Sequence, residues 1–206
     1  MAFSPIVHVS NVPMLTARQR WLGILRILFG VVWAVAAALK WQPAFIKGFA
    51  DIVQGAMDGQ PQPVKLWIAF WLGIIHVNPS LFAHMEAITE TALALCFILG
   101  AFTNLACVVG ILLSLGIWTV AEGFGGPYIP GQTVDVGTAL PYAILCGVLL
   151  CASAGQYYGL DHLLVRKLGR FSFLASSSLT RVDEEARVAQ PVKEREMVRQ
   201  GKREQR

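Results

Sequence analysis

Residues Pro79 to Phe102 read PSLFAHMEAITETALALCFILGAF. A bilayer core about 30 Å thick takes roughly 20 apolar residues of helix, and this stretch is long enough to cross it. Asn78-Pro79 supplies a cap and a first-turn proline at its start. Glu86 and Glu90 are out of place in such a run. A charged group at mid-membrane costs at least about 2.5 to 3.5 kcal/mol. Two carboxylates in one span are therefore expected to face the interior of a bundle. Their spacing of four places them on one helix face.

Three other stretches satisfy the same length test. Trp21 to Leu39 reads WLGILRILFGVVWAVAAAL, and Leu105 to Ala121 and Gly137 to Ala154 are similarly apolar. The run from Leu66 to Val77 is too short to span, and is expected at the interface or as a re-entrant turn packed on the bundle. The fold predicted is all-α, a four-helix transmembrane bundle with a short interfacial helix between spans one and two. The segment from Trp41 to Lys65 is read as a loop. Thr103-Asn104 is a tight turn that makes spans two and three an antiparallel hairpin.

Composition agrees. The chain is 55% hydrophobic and 15% charged, with a mean hydropathy of +0.54, where soluble domains carry about 25% charged residues. The charges crowd into the last part of the chain, from Arg181 to Arg206, where Lys and Arg alternate with Glu and Asp. Residues 1–20 form an N-terminal segment, 21–165 the membrane domain, and 166–206 a charged tail expected to be disordered or loosely helical. The net charge of +4 does not point to nucleic acid, because the tail's basic residues have acidic neighbours and no interleaved aromatics. A lipid bilayer is the expected partner. The N-terminal apolar run is long, has no small-residue cleavage site, and reads as a retained helix.

Arg18 and Arg20 precede the first span. Arg166, Lys167 and Arg170 follow the fourth, and the loop from Glu122 to Val136 has no Lys or Arg. Positive loops stay inside, so both termini are expected in the cytoplasm of a cell-membrane protein. Trp21, Trp41, Trp67 and Trp71 fall near expected interfaces, as in an aromatic belt.

By helix rise, Glu86 and Glu90 lie about 10 and 16 Å below the outer surface, and Arg26 about 8 Å above the inner one. Side chains lean toward their own helix N-terminus. Lys40 therefore leans down toward the glutamates, which lean up. Arg26 leans away, and is expected to snorkel to the headgroups. Two readings stay open for the cluster: a salt bridge that fixes helix order, or an interior site for protons or a ligand, with His84 within a turn of it.

The loop GFGGPYIPGQTVDVG, residues 123–137, is rich in glycine and proline and must be a structured turn system. It either reverses the chain rigidly or presents backbone amides to an anion, with Glu122, Tyr128, Thr133 and Asp135 adding polar groups. Cys96, Cys107, Cys146 and Cys151 lie in spans without a C-x-x-C pair and read as apolar filler. The histidines show no metal-ligand spacing. A haem between His76 or His84 and another helix is a remote alternative.

These residues resemble the DoxX/DoxD family of four-helix membrane proteins, which includes a subunit of thiosulfate:quinone oxidoreductase. The opening Arg26-x-x-x-Gly30 running to Lys40 is similar to the family's first helix. Glu90, Gly100 and Thr103 follow in the family's order. Gly125-Gly126-Pro127-Tyr128, Pro130-Gly131, Thr133, Asp135 and Gly137, ahead of Tyr142, resemble the loop of the DoxD branch, and Gly159-Leu160-Asp161 its ending. The likeness covers roughly residues 20 to 165. Asn104 departs from it, standing where the family often has arginine.

The resemblance implies a subunit that passes electrons from a sulfur compound, thiosulfate in the named case, to quinone as acceptor. Glu90 and Glu86 are then the catalytic candidates. Lys40, Arg26, Tyr128, Thr133, Asp135, Gly125 and Gly126 are the substrate-binding ones. No residue is an obvious electron carrier, so electrons pass directly or through a second membrane subunit; association as a homo-oligomer is also expected. Two rival functions remain: a non-catalytic membrane adapter docking soluble partners through the tail, and a small proton-coupled transporter using Glu86, Glu90 and Lys40.

Overall fold

The computed structural model describes residues 17–129, 135–161, 164 and 173–175, and among these the regular structure is entirely helical. Thr133, and nearly all of the N-terminal segment and the charged tail, lie outside the described residues. Six α-helices follow in order: α1 (Ala17–Lys40), α2 (Pro43–Gly55), α3 (Gln62–Ile75), α4 (Pro79–Leu99), α5 (Thr103–Gly116) and α6 (Ala139–Cys151). A π turn, Ile117–Ala121, extends α5.

Among the described residues, three helices are long and apolar enough to cross a membrane: α1, α4, and α5 with its π turn. Their outward faces are greasy. On α4, Leu81, Met85, Ile88, Leu95 and Leu99 are exposed, while Ala83, Ala87, Glu90, Leu93, Ala94 and Phe97 are buried. Soluble monomers rarely expose apolar patches on this scale, and a lipid surround accounts for them. The helix expected from Gly137 to Ala154 is shorter, with 13 residues in α6, or about 20 Å of rise.

Helix ends follow from local chemistry. The Asn78 side chain accepts the Leu81 amide at 3.1 Å, with proline in the first turn of α4, which satisfies one of the start's orphan donors. At the other end Gly100 takes a left-handed conformation (φ 63°), and the Ala101 amide reaches back to the Cys96 carbonyl at 3.0 Å. This is the usual glycine stop.

One correction concerns the segment from Trp41 to Lys65. It is not a plain loop, because α2 occupies most of it. Pro43 starts the helix, and Phe45, Phe49 and Val53 recur at four-residue spacing. Phe49 and Val53 pack with Ile68, Leu72 and Ile75 of α3 and Ala83 of α4 in one apolar cluster. The main core joins α1, α4, α5 and α6 through Phe29, Trp33, Phe97, Cys107, Cys146 and Leu149. Gly30 lets α1 and α4 approach closely, since a Cβ there would meet Ile98 at 2.8 Å. Gly110 does the same for α5 against Cys146 of α6.

A second correction concerns Arg26. It does not snorkel to a headgroup layer: it is fully buried. Its guanidinium donates to the carbonyls of Tyr158 (2.9 Å) and Ala154 (3.4 Å). The Gly100 and Gly159 backbones crowd against it closely enough that a Cβ on either would collide with the guanidinium. Beside it, the buried Asp161 carboxylate accepts the Thr103 amide at 3.2 Å, a favourable place for an anion at the start of α5. The Leu160 and Asp161 amides donate to Leu99 and Gly100 carbonyls. Arg26, Gly100, Thr103, Gly159 and Asp161, scattered along the chain, thus meet in one knot that ties α1, the α4–α5 turn and the segment after α6. Close by, Asn104 donates to the carbonyls of Phe173 (3.1 Å) and Ala175 (3.4 Å).

Candidate functional site

At the end of the bundle away from Arg26, the last residue of α1 meets α4. Lys40 Nζ lies 2.5 Å from Glu86 Oε1 and 4.2 Å from the centre of the Phe45 ring on α2. The lean of side chains toward their own helix N-termini brings Lys40 and Glu86 together. Next to them the Trp41 indole donates to Thr91 at 3.1 Å, and its ring sits edge-on to His84. Arg26 is 14 residues earlier on α1, about 21 Å along the helix, and takes no part in this cluster.

Glu86 and Glu90 share a helix face, yet they open onto different cavities. Glu90 is 2% exposed and lines an inner pocket of about 160 Å³ with Lys40, Trp33, Ser114, Thr138 and Tyr142. Glu86 lines a lateral cleft of about 500 Å³ bounded by α2, α3, α4, α5 and the π turn. Its walls are largely apolar and aromatic, with Phe49, Trp67, Trp71 and Phe82 prominent. Ile117, the first residue of the π turn, borders both spaces. A π turn widens a helix locally and is often found at functional sites.

The polar atoms of the inner pocket are unusual. Glu90 Oε2, the Ser114 hydroxyl and the Trp33 indole N–H are buried and have no hydrogen-bond partner among the described residues. An unsatisfied buried polar group costs about 1 to 3 kcal/mol. Lys40 and Glu86 both act on Glu90 electrostatically, and Glu90 acts on Tyr142. The cluster therefore combines one ammonium, two carboxylates and several hydroxyl or N–H donors.

Glu122, at the start of the glycine-rich loop, bonds to Thr138 and Ala139, two of the residues that line this pocket. The Glu122 carboxylate accepts the Thr138 hydroxyl, the Thr138 amide (3.1 Å) and the Ala139 amide (3.1 Å), and so caps α6. Trp118 Nε1 donates to the Val136 carbonyl at 2.7 Å. Gly125 (φ 79°) needs its missing side chain, because a Cβ there would run into the Val136 carbonyl. The Gly125 and Gly126 amides donate to the Glu122 and Gly123 carbonyls, and the half of the loop nearest α5 rests on the buried Gln60, which donates to Gly123. Those two amides are therefore engaged within the turn and not turned toward an anion. Tyr128 and Asp135 also bond locally, Tyr128 to the Phe124 carbonyl (2.6 Å) and Asp135 to the Val136 amide (2.6 Å). The described residues of the loop are thus held by hydrogen bonds within the turn and to its immediate neighbours.

Of the residues singled out from the sequence, Lys40, Glu86 and Glu90 come together. Arg26 stands apart, and Tyr128, Asp135, Gly125 and Gly126 shape the loop. Trp33 and Ser114 are not singled out by the sequence, and Glu122 stands there only as a polar group of the loop. Trp33 precedes Lys40 by seven residues and shares its face of α1. Ser114 is the one hydroxyl within an otherwise apolar stretch of α5, a signal visible in the sequence. Comparison with known protein families, with characterised proteins and with solved structures finds no match for this chain.

Proposed function

We propose that this chain is a membrane subunit of the DoxX/DoxD type that passes electrons from a sulfur compound such as thiosulfate to quinone. In this reading α6 and the residues around it form a fourth span. Both termini lie in the cytoplasm of a cell-membrane protein, consistent with the Lys and Arg residues flanking the first and last spans. The observation that carries the proposal is the Glu90 carboxylate, buried on the inner pocket beside the Lys40–Glu86 pair, whose Glu86 lines the apolar cleft.

Reducing a quinone to a quinol takes up two electrons and two protons. Glu90 and Glu86 are placed to exchange those protons with the space between the helices, the work expected of positioned carboxylates in acid–base catalysis. The apolar cleft suits a lipid-soluble acceptor arriving from the bilayer. Electrons reach the acceptor directly from the sulfur compound or through a second subunit.

The test is quinone reduction by the purified protein with thiosulfate, followed optically. Glu90→Gln is expected to slow turnover by about a hundredfold or more, within the usual range for a lost acid–base group. Equal rates for the variant and the parent would remove Glu90 from the mechanism. The same three charges also suit a proton-coupled transporter. Uptake into proteoliposomes that depends on a pH gradient, with no redox change, would favour that reading instead.

A further inference from the structure

Resting on the quinone-linked reading, we propose that Lys40 is the proton link between the two cavities. It passes a proton to Glu86 on the wall of the lateral cleft, and is recharged from the side of the inner pocket. Position comes first. Lys40 lines the inner pocket, and its Nζ lies 2.5 Å from Oε1 of Glu86, which lines the cleft. Ile117 also borders both spaces, but its side chain has no proton to give.

Demand sets the direction. Among the described residues, Glu86 is the one ionisable side chain on the cleft wall, so an acceptor reduced there draws its protons through it. A quinol takes up two, and Glu86 must be refilled between them. Its bonded neighbour is the more open of the pair: the Lys40 side chain is 23% exposed and that of Glu86 12%, and Lys40 ends α1. His84, two residues before Glu86, looks out from another face of α4, and its Nδ1 is held by the Ser80 carbonyl at 2.6 Å.

The transfer balances. An Nζ–H bond of the ammonium breaks and an O–H bond of Glu86 forms, which turns the ion pair into an amine and a carboxylic acid. In a partly buried pair the neutral form escapes the cost of keeping two charges from water. Glu86 gives that proton to an oxygen of the acceptor, whose electrons come from the sulfur compound, and is a carboxylate again. The amine takes up a proton on the pocket side, where Glu90 and Lys40 attract each other electrostatically, and the ion pair is restored. Lysine can do this. Arginine cannot, because its guanidinium stays protonated in proteins.

Turnover with the charge held constant tests the link. In the full chain, Lys40→Arg keeps a cation able to pair with Glu86 but gives up no proton. It is expected to unfold at the parent's midpoint and to reduce quinone with thiosulfate about a hundredfold more slowly, a usual loss for a proton-transfer group. Lys40→Ala is expected to be as slow, and to recover turnover with added ethylamine but not with guanidinium at the same concentration, which brings charge alone. That recovery carries the test if Lys40→Arg fails to fold. Parental turnover in either variant, no rescue by ethylamine, or equal rescue by guanidinium overturns the link and leaves the quinone reading standing. If the parent itself reduces no quinone, both fall.

Discussion

Arg26 and Glu90 are each almost wholly buried in the same pair of packed helices, Arg26 toward one end and Glu90 near the middle of α4, one turn from the Lys40–Glu86 pair. Arg26 reaches two backbone carbonyls and lies within electrostatic reach of Asp161, whose carboxylate in turn holds the Thr103 amide. Glu90 reaches no protein donor among the described residues. One end of the bundle has used its buried charge to tie helices together. The other has left its buried charge facing a cavity. A polar group kept dry and unpaired costs stability, so the pocket is where structure has been traded for the capacity to bind or react.

The sharpest way to break this comparison is Arg26→Met. Removing the guanidinium frees two carbonyls and leaves the Asp161 carboxylate without its neighbouring cation. Breaking a buried pair in this way typically costs about 3 to 5 kcal/mol. Unfolding of the purified protein in mixed micelles should show a loss in that range. A loss below about 1 kcal/mol would mean that the knot is not what holds this end.

Gly100→Ala probes the same end with a smaller effect. Its φ of 63° suits glycine, and a Cβ would press on the Arg26 guanidinium and the Gly159 backbone. Left-handed strain and overpacking are each worth about 1 to 3 kcal/mol, and a loss near the upper end of that range is expected in the same unfolding assay. Gly147, whose Cβ would meet nothing within 4 Å, is the control: Gly147→Ala should cost nothing.

The difference between the two ends also explains what could be read from the sequence. Long apolar runs with a cap at one end and glycine at the other announce α4 directly, and α1 and α5 follow from length and hydropathy. The Lys40–Glu86 contact was legible because side-chain lean is a local property of each helix. Arg26 was misplaced for the converse reason. Its partners, Ala154 and Tyr158, lie about 130 residues away, and no local rule says that a segment after α6 folds back over α1. Helix α2 was hidden by Lys47 and Asp51, which interrupt the eye although Phe45, Phe49 and Val53 keep helical spacing. The parting of Glu86 and Glu90 into two cavities depends on where α2, α3 and the π turn pack, and spacing on α4 alone cannot show that. Trp33 and Ser114 are single polar atoms in apolar helices, and only assembly makes them a pair.

Apart from the Gly147→Ala control, the smallest expected change in stability belongs to Glu90→Gln, and it sharpens the contrast most. If Glu90 were a structural partner of Lys40, neutralising it would strip a charge of its counterion and cost as much as the Arg26 change. Lys40, however, already has Glu86 at 2.5 Å and the Phe45 ring at 4.2 Å. The amide of glutamine keeps the volume and removes the repulsion between the two carboxylates. Unfolding should therefore shift by no more than about 1 kcal/mol, the net worth of one ordinary hydrogen bond, and the shift should be toward greater stability. A loss of the size expected for Arg26→Met would make Glu90 a second structural knot, and the two ends of the bundle would then be doing the same job.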